Sequence, residues 1–473
     1  MATDGTGSPP PPRPRAPRGL APGRVTGIAA IAALCVAVSA CGAGDGPGDV
    51  AGSPEPLAGN TVEHRTTATS ADARPVPTTV TEAAWVWEAP AGRTVRAVHP
   101  SATGAVMELD NGVVALDTST GEETWSFLLP DHHSGHEDTD LSVSPDGSVV
   151  AFSPGRTMVL LDAASGQEIA RLDHDASGPS QFTVTEAGLI GDHGRFTADA
   201  DHRARVSMTP WGEGRQGWES TIPACEEGEL GEVSQGVLTG DQVVVEFSCP
   251  FREPVTVGLD QTDGGELWRL AQGTDYSPDP DVFPVPSPSA EADFGVVGDL
   301  LVLQNIAAER GTVVIDTASG RVLGDDIPST VEHPLLRVLP DGYLTVREGA
   351  EGDSEGRALT YELRDFDGSV RHRVVTSTEV ARGSLNNFLV LEDALLKIRM
   401  VDAGEDQDMA VLGWDTDEHP RVPLPVDVDT TGIPSIARAD REVGPSTFRA
   451  VPGAVVLREF PGGGDPHRVV GLR

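Results

Sequence analysis

The sequence predicts an all-β fold in which about eight four-stranded units close into a ring, with seven units as the second choice. Three observations lead there. Gly and Pro make up about a fifth of the 473 residues while aromatics are only 5%, a balance that favours many short strands joined by turns over a helical bundle. A turn running from Asp to Gly between two β-rich runs recurs at near-regular spacing. Finally, the two ends of the β-rich region each lack what the other supplies.

Taken from the N-terminus, residues 13–24 carry Arg13, Arg15, Arg18 and Arg24 among prolines, and Val25 to Ala40 is uncharged and mostly apolar. A basic region, an apolar segment of limited length and small residues before a cut are the parts of an export signal. The segment ends Val38-Ser39-Ala40-Cys41, similar to the lipobox of bacterial lipoproteins. That resemblance implies cleavage before Cys41 and lipid attachment, as palmitate, to its thiol. Cys35 follows bulky Leu34 and fits worse. An uncleaved signal anchor over residues 25–44 is the other reading. Either places the rest of the chain on the outer face of the cell membrane, because the arginines stay inside.

Residues 1–40 are thus read as a signal peptide, 41–81 as a disordered Gly/Ser/Pro/Thr linker, and 82–473 as the folded domain. A coil of that length holds the domain about 35 Å from its anchor.

Within the domain, Val113 to Trp125 is the clearest unit, with Asp117 and Gly121 at the turn. It recurs around Asp162 and Gly166, around Asp260, Gly264 and Trp268, and around Asp316 and Gly320. The Asp side chain accepts backbone N–H groups in such a turn, and Gly supplies positive φ. Asp117 to Asp162 is 45 residues, and Asp162 to Asp260 is 98, two units with a degenerate middle one around Pro210-Trp211-Gly212. Weaker turns follow at Asp365–Gly368 and Gly413–Asp417. Further hairpins sit upstream at Ser144–Gly147, Gly240-Asp241, Gly298-Asp299 and Leu339–Gly342. Four strands per unit of roughly 49 residues is the size of a propeller blade.

The chain stops at Val469 to Arg473, a run like Val113 to Asp117 without the strand that should follow. The first ordered run, Ala83 to Glu88, is like Glu123 to Phe127, an outer strand without a blade. The N-terminal strand is therefore expected to complete the last blade.

The units Asp117–Trp125 and Asp260–Trp268 resemble the repeats of the PQQ-like, or quinoprotein-like, β-propeller family. Asp162–Gly166 and Asp316–Gly320 share the turn but lack the Trp. The resemblance implies that Trp125, Trp268 and Trp85 pack between neighbouring blades. An anchored propeller of this kind is similar to the scaffold lipoprotein of the barrel-assembly machinery and to anchored PQQ-like proteins of high-GC Gram-positive bacteria. A chain with one lysine (Lys397) among 34 basic residues fits the second group better. Quinoprotein dehydrogenases of this fold hold their quinone over Ca²⁺, often against adjacent cysteines; no Cys-Cys pair exists here.

Several residue groups invite a chemical reading. Cys225 and Cys249, the remaining mature thiols, are expected to form a disulfide outside the membrane, worth about 3 kcal/mol. His132, His133 and His136 lie in an acidic, Gly-containing run that could take a divalent ion. With no second motif to complete the shell, a solvated loop is the favoured reading, and no metal site is assigned. Acidic pairs such as Glu226-Glu227, Asp325-Asp326 and Glu405-Asp406 are ordinary in a chain of 73 acidic residues. No Gly-Lys-[Ser/Thr] loop, Gly-x-Ser-x-Gly elbow or His-Glu-x-x-His pair appears.

The net charge of −39, or −42 after loss of residues 1–40, excludes an electrostatic grip on nucleic acid. It favours a cationic or neutral partner over anionic lipid. The expectation is a monomeric, cofactor-free, non-catalytic module that binds an envelope protein, peptide or glycan. The rival is a quinone- or metal-dependent enzyme of the dehydrogenase type using the propeller channel.

Overall fold

The computed structural model describes residues 61–67, 74–129, 139–154, 157–173, 182–185, 188–192, 204–211, 216–222, 232–239, 242–248, 255–271, 292–305, 312–327, 335–348, 359–376, 388–399, 407–416, 418–426, 448–459 and 467–473. Their regular structure is entirely β, and eight sheets form the blades of a propeller. The sequence units map onto them directly. Blade 1 holds Val95–Ser101, Gly104–Leu109, Gly112–Asp117 and Glu122–Leu128 as successive antiparallel strands. The same meander recurs through blade 7, which ends in Asp408–Gly413 and Arg421–Pro423.

Blade 8 is built from both ends of the chain. Its first three strands are Phe448–Val451, Ala454–Arg458 and Arg468–Leu472, and its fourth is Ala83–Glu88. Val86 pairs with Val470 and Trp87 with Val469. The backbone N–H groups of Thr81 and Glu82 donate to the Arg473 carbonyl, at 2.5 and 2.9 Å. A ring closed this way leaves no long free strand edge at its seam. The seam is reinforced from within: buried Arg458 donates to the carbonyls of Val95 and Arg96 on the first strand of blade 1.

Part of the stretch read as linker is built structure. Glu63–Arg65 pair with Ser126–Leu128 and give blade 1 a fifth strand. His64 packs edge-on against Phe127 at 5.1 Å, and its Nε2 lies 2.6 Å from the Gly166 carbonyl of blade 2. This strand was not evident beforehand because all three of its residues are exposed and carry no apolar alternation.

The core lies between blades. Apolar side chains of each blade pack against the facing side of the next, as where Val106, Phe127 and Leu129 of blade 1 meet Val150, Phe152 and Leu161 of blade 2. Both faces of the middle strands are covered, so Ala394–Ile398 is buried at all five positions.

The meander sorts the connections by face. The turns between first and second strands, and between third and fourth, all emerge on one side, and none is longer than residues 211–217. The connections between second and third strands, and from one blade to the next, start and finish at the opposite strand ends. The longest of these are residues 272–291 and 424–447.

Candidate functional site

Most of the residues singled out by the repeat turn out to build the joints between blades. In four turns the glycine N–H donates to the aspartate carbonyl at 2.7–2.8 Å: Gly121 to Asp117, Gly166 to Asp162, Gly264 to Asp260 and Gly320 to Asp316. The Asp side chain accepts a second set of bonds, as when Ser119 N–H reaches Asp117 Oδ1 and Thr262 N–H reaches Asp260 Oδ1, both at 2.7 Å. The Thr262 hydroxyl and amide hold the Asp260 carboxyl below its ordinary range. The four glycines have φ between 66° and 76°, the left-handed region that other residues enter at a cost.

Each of these turns receives an indole from the preceding blade. Trp85 Nε1 donates to the Thr118 carbonyl at 2.7 Å, and Trp125 Nε1 to Ala163 at 2.8 Å. Trp218 Nε1 donates to Gln261 at 2.8 Å, and Trp268 Nε1 to Thr317 at 2.7 Å. In every case the acceptor is the residue after the turn's aspartate. The indole lies over the turn glycine: a Cβ added at Gly121, Gly166 or Gly264 would stand 2.5–2.8 Å from ring or Cβ atoms of the Trp. This explains why Asp, Gly and Trp recur together. The Asp fixes the turn, the Gly clears a seat, and the neighbour's Trp fills it.

Where the repeat loses its Trp, the aromatic comes from the other side of the joint. Ala170 of blade 2 stands four residues after its turn glycine, where Trp125 stands in blade 1. Trp211, from the turn of blade 3, is buried in the cluster that Ala170 packs against. Gly324 of blade 5 occupies the same position, and Phe366 from the blade 6 turn packs at that joint. In blade 6 the position is His372, stacked at 6.0 Å on Trp414 of the blade 7 turn, with its Nδ1 2.7 Å from Asp415 Oδ2. The joint between blades 7 and 8 is aliphatic, formed by Val422, Leu424, Val426 and Val80.

Sequence reasoning missed Trp218, Trp211 and Trp414 in these roles. The available signal was the Trp kept by the blade 3 and blade 7 units although their Asp-to-Gly spacing has decayed.

One polar pair lies inside the apolar layer between blades 6 and 7. Lys397, the single lysine of the chain, is 0% exposed. Its Nζ lies 3.2 Å from the Tyr361 hydroxyl and 5.8 Å from the Tyr361 ring centre. Desolvation pulls the Lys397 ammonium down to about 8 and pushes the Tyr361 phenol above its ordinary range. This pair was not foreseen, because strand alternation says nothing when both faces are buried.

Cys41, Cys225, Cys249, His132, His133 and His136 lie outside the described residues. So do the acidic pairs Glu226-Glu227 and Glu405-Asp406, and the side chains of Asp325 and Asp326. Among the described residues, no group of three His, Cys, Asp or Glu side chains is arranged to hold a metal ion.

Residues 59–249 match the family model described as outer membrane protein assembly factor BamB. No curated protein matches the chain. Among solved structures, the chain is similar to the WD40 domain of SCAP from fission yeast, at 11% identity and a TM-score of 0.43, covering 82% of this chain and 97% of that one. It is also similar to quinohemoprotein alcohol dehydrogenase ADHIIG from Pseudomonas putida HK5, at 12% identity and a TM-score of 0.42, covering 83% and 76%. Likeness at this level carries no argument about chemistry. The eight-bladed ring makes the chain a β-propeller, and the match over residues 59–249 fits one of the PQQ-like kind.

Proposed function

We propose that this protein is a lipid-anchored, extracytoplasmic binding module in which a non-catalytic propeller presents one ring face to an envelope protein, peptide or glycan. The observation that carries the reading is the division of labour between the faces. On the turn side, the recurring Asp, Gly and Trp residues are spent on joining blades, and the connections are short. Sequence length has accumulated only in connections belonging to the opposite side, the pattern of a rigid scaffold carrying its variable recognition segments on one face. The matched family model, an assembly factor by its description, supports a scaffold role in general terms.

Anchoring rests on the Val38-Ser39-Ala40-Cys41 motif, and the acidity of the chain favours a cationic or neutral partner. Labelling with radioactive palmitate should mark the wild-type protein in the membrane fraction and leave Cys41→Ala unlabelled. Label on Cys41→Ala would remove the anchor from the proposal. Crosslinking in cells followed by purification should recover one partner in stoichiometric yield. The dehydrogenase reading has its own discriminator: calorimetry of the purified protein with PQQ and Ca²⁺ should give a flat trace, and a saturable one would reverse the assignment.

A further inference from the structure

Among the described residues, blade 1 alone carries a fifth strand, Glu63–Arg65, paired with Ser126–Leu128 on the outer rim. All three of its residues are exposed. The strand that completes blade 8 is held differently, because Ala83–Glu88 buries Trp85 and Trp87 in the joint with blade 1. Glu63–Arg65 has no such anchor. Its hold comes from a three-residue ladder, the edge contact of His64 with Phe127, and a set of polar bonds. Those bonds share one chemistry. His64 Nε2 lies 2.6 Å from the Gly166 carbonyl, and the Thr67 N–H donates to the Ser165 carbonyl at 2.9 Å. Arg65 Nε donates to the Ser126 hydroxyl at 3.0 Å, and its terminal nitrogen to Glu123 Oε2 at 2.5 Å. Each group the seat offers acts as an acceptor: two carbonyls from the blade 2 turn, and a hydroxyl and a carboxylate from the outer strand of blade 1. Such a seat takes a strand by its backbone and selects side chains that donate or carry positive charge.

The rim of blade 6 manages its edge in another way. There the Arg373 N–H donates to Asp415 Oδ1 at 3.1 Å, the Asp415 N–H donates to the Arg373 carbonyl at 3.2 Å, and His419 Nε2 lies 3.2 Å from the Val375 carbonyl. Blade 7 thus covers the outer strand of blade 6 with parts of the ring itself. The blade 1 edge is covered instead by a segment that precedes the ring in the chain. The connection back to the ring is tied down separately. The Pro75 carbonyl accepts from the Gly453 N–H at 3.0 Å, the Thr78 carbonyl accepts from the Asp393 N–H at 2.9 Å, and Val80 is buried between blades 7 and 8. Release of Glu63–Arg65 therefore leaves these ties and the closure of blade 8 in place.

We propose that the rim of blade 1 is a peptide-binding edge, which takes an extended basic segment of a partner protein by strand addition, and that Glu63–Arg65 is its resident, exchangeable occupant. An incoming strand with a donor at the place of His64 and a cation at the place of Arg65 forms the same ladder and meets the same acceptors. Attachment to the ring gives the resident strand an effective concentration on the order of 1 mM, which sets the threshold a competitor must pass. The rim is separate from both ring faces, so this surface stands independently of the partner proposed above.

The test uses the full-length protein and a dye-labelled peptide copying residues 61–67, followed by fluorescence anisotropy. The double variant His64→Pro with Arg65→Glu breaks the resident ladder and sets a like charge against Glu123. The peptide should bind this variant saturably, and about tenfold or more tightly than it binds wild type. A peptide carrying Arg65→Glu should bind the double variant about tenfold more weakly than the native peptide. Adding Glu123→Gln to the protein, which keeps an acceptor for Trp87 Nε1, should weaken the native peptide by a similar factor. Hydrogen exchange on wild type gives a second reading that needs no variant: excess peptide should speed exchange of the amides of Glu63–Arg65 and leave those of Ala83–Glu88 protected. Three results would overturn the proposal: no saturable binding to the double variant up to about 10 mM peptide, equal binding of the two peptides, or wild-type exchange at Glu63–Arg65 unmoved by peptide.

Discussion

Beside the aliphatic joint 7/8, two kinds of aromatic blade joint share this ring. At the joints 8/1, 1/2, 3/4 and 4/5, the outer strand supplies a Trp and the next turn supplies a seat. At 2/3, 5/6 and 6/7, the outer strand offers Ala170, Gly324 or His372, and the next turn supplies Trp211, Phe366 or Trp414. The difference teaches that the conserved quantity is a filled volume, not a residue at a position. A gap of indole size can be plugged from either wall, and close packing demands that one of them do it.

The largest expected effect separates peg from seat. Trp125 is 1% exposed, and Trp125→Ala should cost about 3–5 kcal/mol by leaving a cavity and an orphaned Ala163 carbonyl. The pair Ala170→Trp with Trp211→Ala would then convert joint 2/3 to the first kind. If volume is what matters, the double variant recovers most of what Trp211→Ala loses in urea unfolding. A double variant as unstable as the sum of its parts would show that the two kinds are not interchangeable.

That comparison also marks what the sequence made legible. The eight units, the turn chemistry of Asp117, Asp260 and their relatives, and the closure by Ala83–Glu88 could all be read beforehand, because each leaves a local pattern. Trp211 and Trp414 could not, since a motif search expects the indole at a fixed offset and these lie on the other partner. Cysteine and histidine roles stayed at the level of composition.

A smaller effect separates seats of the same kind. A Cβ at Gly166 would lie 2.7 Å from the Trp125 ring, whereas at Gly320 the nearest Trp268 atom is 3.9 Å away. Both glycines have positive φ. Gly166→Ala should therefore cost about 2–4 kcal/mol, combining backbone strain with overpacking, and Gly320→Ala only the strain, about 1–2. Equal losses in denaturant titration would mean that the indole does not require the glycine seat.

A pH-dependent effect concerns the buried pair of joint 6/7. The folded-state Lys397 titrates near 8, below its ordinary value of 10.5, so the fold penalises the charged amine. That penalty is fully present below about pH 8 and is relieved as pH rises toward 10.5. Measured against Lys397→Met, wild-type stability should therefore improve by roughly 2–3 kcal/mol between pH 7 and pH 10. A pH-independent difference would place the amine in a wetter site than its complete burial implies.

The seam of blade 8 has a consequence for the timing of assembly. Ala83–Glu88 is among the first folded strands to be synthesised, and its partner Arg468–Leu472 is the last. Until that final segment exists, Trp87 and Val86 have no ladder to join, and the Arg458 bonds to blade 1 close no circle. Seven blades can condense in sequence from local hairpins, but the last contact spans nearly the whole domain and carries the loop-closure cost of doing so. The ring therefore cannot be closed early: seven blades can form before it, but the sheet that joins the last blade to the first waits for Arg468–Leu472, and strands made far apart in time share it.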